Sequence, residues 1–153
     1  MAIPHLDIGA FAELCSQTLN AEDYPLASGV AKNVLLYDGD ELRAGLNSES
    51  FNQALRHEFA HVLQRGSGVF VIQNAFTDLS VIERMNQVFE AILAQEAGKA
   101  SGDHFAKAGA NGRIWNALQK SALLNPAVFI EYYKNPLLLL ASEAWLGPHY
   151  QMT

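Results

Sequence analysis

The chain has 153 residues, enough for one domain with a real core, and carries a net charge of −6. Half of the residues are hydrophobic and 17% are charged, which is globular usage and excludes a disordered chain. The acidic balance excludes the basic stripe that nucleic acid requires, and no polybasic segment is present for anionic lipid.

The single Cys15 rules out an intramolecular disulfide and fits a reducing compartment. The opening Met1-Ala2-Ile3-Pro4-His5-Leu6-Asp7 has neither a basic n-region nor a long apolar h-region. No signal peptide is read there, and a cytoplasmic location is expected. The most apolar run, Leu137-Leu138-Leu139-Leu140-Ala141, is broken by Ser142 and Glu143 and is too short to span a bilayer.

Apolar spacing predicts a short helix over Leu6 to Leu19, within a loosely assigned N-terminal extension of residues 1–30. Val34-Leu35-Leu36-Tyr37 reads as a strand stopped by the turn dipeptide Asp38-Gly39. Asn47-Ser48-Glu49-Ser50 offers N-caps for a helix with Phe51, Leu55, Phe59, Val62 and Leu63 on one stripe, ended by Gly66. Val69-Phe70-Val71-Ile72 is a continuous apolar run, which predicts a strand buried on both faces.

A second long helix is expected next. Thr77 or Asp78 can cap it, or Ser80 with Glu83 as a capping box. Its stripe is Ile82, Met85, Phe89, Ile92 and Leu93, and Gly98 closes it. Gly102 to Gly112 holds three of the eleven glycines and reads as a loop, followed by a helix over Ile114 to Leu124. Asn125-Pro126 and Asn135-Pro136 each read as an N-cap with Pro at the first helical position. The second of these helices is stopped by Gly147-Pro148, and a strand is expected to open at Tyr150.

His57-Glu58-Phe59-Ala60-His61 matches H-E-x-x-H. On a helix, histidines four apart share a face and can share a zinc ion, with the glutamate as general base. Helical geometry argues against that use. At about 100° per residue, His57 and His61 lie roughly 160° and 120° from the centre of the apolar stripe. The expected arrangement is therefore a solvated face with two incidental histidines. The longer metzincin pattern would need Gly where the chain has Gln64. Glu83, Glu90 and Glu96 are the candidates for a distal carboxylate ligand, but Glu83 and Glu90 fall on the polar side of their helix.

In the Gly-rich loop, His104, Lys107, Asn111 and Arg113 stand near Trp115. Such a loop can line a small-molecule pocket, and a Lys or Arg in it can neutralise a carboxylate. The plainer alternative is a surface loop leading into a helix whose Ile114, Trp115 and Leu118 are core. Asp103 and His104 are adjacent, so their side chains diverge on extended backbone and are no pair of metal ligands.

The run from Gly102 to Lys120 (GDHFAKAGANGRIWNALQK) and the run from Ala144 to Thr153 (AWLGPHYQMT) resemble bacterial members of the phytanoyl-CoA dioxygenase family. The resemblance covers residues 68–153 well and residues 34–65 more loosely. It implies a non-haem Fe(II), 2-oxoglutarate-dependent oxygenase on a double-stranded β-helix (jelly-roll) core. Such enzymes hydroxylate an unactivated C–H bond of a small molecule while 2-oxoglutarate loses CO₂ to become succinate. In the family the His-x-Asp iron pair follows the strand that Tyr150 is expected to open, and the distal His and the 2-oxoglutarate-binding Arg come later still. The resemblance also implies that His104, Lys107 and Trp115 lie near the cofactor pocket.

The expectation is thus an α+β chain, mostly helical, forming a single partial domain over residues 1–153. It would comprise the N-terminal shell and first strands of a jelly-roll dioxygenase, with the metal-binding half absent. Neither catalytic residues nor metal ligands are assigned within it, and alone it is expected to be inactive. The alternatives are a zinc-dependent hydrolase using His57, Glu58 and His61, and a non-catalytic helical interaction domain. Three short strands cannot close two sheets, so self-association through uncovered apolar surface is also expected.

Overall fold

A computed structural model describes residues 7–97 and 112–152. The described residues are α+β, with seven α-helices and a small three-stranded mixed sheet, and the chain divides into two compact units, Met1–Gln73 and Asn74–Thr153. No helix among the described residues is long and apolar enough to cross a membrane.

The first unit opens with helix α1, Ile8–Ser16. Asp7 caps it, its Oδ1 accepting from the N–H groups of Gly9 at 2.8 Å and Ala10 at 3.3 Å. The expected helix is there, shorter than its apolar spacing suggested. Nothing in it is buried, and Ile8, Phe11 and Leu14 stand exposed.

Strands β1, Gly29–Ala31, and β2, Val34–Asp38, pair antiparallel. Lys32 (φ 50) and Asn33 (φ 62) turn the hairpin, the two left-handed residues that a type I′ turn needs. Asn33 also accepts from Leu19 N–H at 2.7 Å and donates to the Gln17 carbonyl at 3.0 Å, tying down the segment after α1. Lys32-Asn33 lacks the usual glycine of such turns, so the sequence carries no strong signal for β1.

Asp38 does not open a turn, as the Asp38-Gly39 dipeptide suggested. It caps helix α2, Gly39–Gly45, by accepting from the N–H of Asp40 at 2.7 Å. Helix α3, Glu49–Arg65, follows with Ser48 as its cap. A side chain at Gly45 would meet the Phe51 ring at 2.6 Å, so the short α2–α3 connection needs glycine there. Gly66 ends α3, and a Cβ on it would lie 2.9 Å from the Val62 carbonyl oxygen.

The chain then enters β3, Phe70–Gln73, which pairs parallel with β2, giving the order β1-β2-β3. On the front of the sheet, Phe59 of α3 stacks on Phe70 at 4.3 Å and meets Tyr37 edge-on at 5.0 Å. Leu35, Tyr37, Leu55, Phe59 and Val62 are fully buried there. The expectation that β3 is buried on both faces is corrected. Val71 is 44% exposed, and Val69 just before the strand 46%, because within the first unit α3 packs on the opposite face, where Phe59 meets Phe70. An all-apolar run is compatible with two covered faces but does not provide the second cover.

The second unit contains helices α4, Ser80–Glu96; α5, Ala117–Leu124; α6, Pro126–Tyr133; and α7, Pro136–Leu146. Met85, Val88 and Ile92 of α4 and Val128 of α6 form one core cluster in it, with Phe89, Ile114, Tyr132 and Tyr133 packed against them. Arg84 pairs with Glu131 and Lys120 with Glu96, joining α4 to α6 and α5.

Both Asn-Pro starts are as expected. Asn125 accepts from Val128 N–H at 3.2 Å and Asn135 from Leu137 N–H at 3.0 Å. The α4 start differs, since Leu79 occupies the cap and offers no side-chain bond. Asp78 instead accepts from Ser80 N–H at 2.9 Å, and the Ser80 contacts hold its carboxyl below the usual range. Helix α5 begins three residues later than expected, because Asn116 takes a left-handed conformation (φ 55, ψ 43). Residues 150–152 form no strand, which corrects the strand expected at Tyr150. A strand needs a neighbour to satisfy its backbone groups, and none among the described residues pairs there.

Candidate functional site

The H-E-x-x-H motif lies on α3, and its three side chains do not converge. His57 and His61 are exposed, as helical geometry predicts. Glu58 is buried, at 7% exposure, which corrects the expectation of a wholly solvated face. Its Oε1 accepts from the Tyr37 hydroxyl at 2.9 Å, and its Oε2 from Leu26 N–H at 3.2 Å. Both oxygens are thus engaged inside the unit, and neither is turned toward an ion between the histidines.

That carboxylate shapes its surroundings. Burial pushes the Tyr37 phenol far up from its ordinary value, and the hydrogen bond to Glu58 adds to this. Tyr24 is also pushed up, by burial first and then by the charges of Asp23 and Glu58. The Tyr24 ring lies 5.7 Å from that of His61, so the exposed histidine borders this cluster. A signal for Glu58 existed in the sequence. By the same 100° arithmetic it falls about 60° from the centre of the apolar stripe, on the inward side.

In the second unit, α5 and α6 flank an open cleft of about 460 Å³. Leu118, Ala122, Phe129 and Met152 line it with apolar surface, and Asn116 and Gln119 add two amides. The left-handed Asn116 sets the entry to α5 and so the edge of the cleft. No ionisable side chain is among these lining residues, so the cleft suits neutral, apolar groups.

Of the residues expected near a pocket, His104 and Lys107 lie outside the described residues. Trp115 is described and is 64% exposed, which also corrects its alternative reading as a core residue. It adjoins the cleft residue Asn116 in the chain but does not line the cleft. The Arg113 guanidinium lies over its ring, 5.4 Å from the centroid, a cation–π contact.

Among the described residues, no group of three or more His, Cys, Asp or Glu side chains is placed to hold a metal. These residues do not fit an iron facial triad, which needs two histidines and a carboxylate converging. Comparison of the chain with protein-family models, with curated proteins and with solved structures finds no match.

Proposed function

We propose that the chain is the N-terminal part of a phytanoyl-CoA dioxygenase-like, Fe(II)/2-oxoglutarate-dependent hydroxylase. The iron ligands then come from outside the described residues. The observation that carries this reading is the residue pattern of Gly102–Lys120 taken with Ala144–Thr153. The exposed side of β3 lends support, since a second jelly-roll layer laid on Val71 would bury it. In this reading His104, Lys107 and Trp115 stand near the 2-oxoglutarate pocket. The role of α3 is to brace the sheet through Phe59 and Glu58.

The test uses the protein at its full natural length, supplied with Fe(II), 2-oxoglutarate and O₂. Succinate should form as 2-oxoglutarate is consumed, and a chelator should abolish it. A full-length sequence without His-x-Asp, together with no succinate, would reject the reading.

A second reading is a non-catalytic helical interaction domain. The exposed stripe Ile8, Phe11 and Leu14 on α1 favours it, since a helix with no buried residue has its apolar side free for a partner. Loss of a binding partner on Phe11→Asp, with no succinate formed by the full-length protein, would favour this second reading over the first.

A further inference from the structure

We draw no further inference here: the strongest candidate, the exposed apolar patch at Val71 of β3 and Val69 just before it, carries none because nothing in the structure shows what covers it.

Discussion

The Tyr37 hydroxyl donates a 2.9 Å hydrogen bond to Oε1 of Glu58, joining the middle strand of the sheet to helix α3. Glu58 is the central acid of H-E-x-x-H, so the motif's would-be general base serves as a packing anchor. Removing one partner of a buried bond costs more than the bond itself is worth, because the other is left unsatisfied. Tyr37→Phe is expected to destabilise the protein by about 1–3 kcal/mol. Glu58→Ala should cost at least as much, since it also strands Leu26 N–H. Urea denaturation of both variants checks this, and an unchanged midpoint for Tyr37→Phe would contradict it.

The same pair sets an alkaline limit. Folding raises the Tyr37 pKa above its ordinary 10.0, chiefly by burial. A group raised on folding stabilises fully below its unfolded pKa and loses that contribution as pH climbs toward its folded pKa. Stability should therefore decline as pH rises above about 10. Tyr37→Phe should flatten the decline, while Tyr24 and Tyr133, also raised by burial, retain part of it. Denaturation midpoints across the alkaline range give the slope, and a wild-type slope in Tyr37→Phe would refute the assignment.

Helix α3 separates its two faces energetically. Phe59 is fully buried between Phe70 and Tyr37, so Phe59→Ala should cost about 3–5 kcal/mol. His57 is exposed, and His57→Ala should stay within about 0.5 kcal/mol. The expectation that Phe51 is buried with this stripe is corrected to half-buried, since it packs at the end of the helix against Gly45. Thermal melts of these variants would expose an error in either direction.

Because His57, Glu58 and His61 do not converge, the chain should hold no stoichiometric zinc after dialysis against a weak chelator. Elemental analysis of residues 1–153 is the measurement. One zinc per chain, lost in His57→Ala, would restore the hydrolase reading.

Asn135 does more than its counterpart Asn125. Each caps a helix, but the Asn135 Nδ2 also donates to the Ala75 carbonyl at 2.8 Å, across the second unit. Asn125→Ala should cost about 1 kcal/mol, as for an ordinary cap. Asn135→Ala should cost about 2 kcal/mol or more, since a cap and a long-range bond are lost together. Equal costs would mean that the Ala75 bond contributes nothing.

Val71 on β3, Val69 just before it, and Ile8, Phe11 and Leu14 on α1 leave apolar surface open to water. The isolated chain should therefore bind ANS or self-associate. Light scattering with an ANS titration tests this. A monomer with negligible dye binding and a sharp melt would overturn it.

Local chemistry determined much of this protein. The two Asn-Pro caps follow from one side-chain oxygen and the proline ring of the very next residue, and the α3 stripe follows from helical period alone. The histidines of α3 were placed outward by the same arithmetic. What only the tertiary structure decided is which groups find partners far along the chain. Tyr37 and Leu26 reach Glu58 from 21 and 32 residues away, and no spacing rule announces such a pair. The parallel pairing of β2 with β3 is likewise non-local, as is the choice of which sheet face the helices cover. Periodicity records what a residue can bury, whereas burial itself depends on which surface arrives, and that surface comes from elsewhere in the fold.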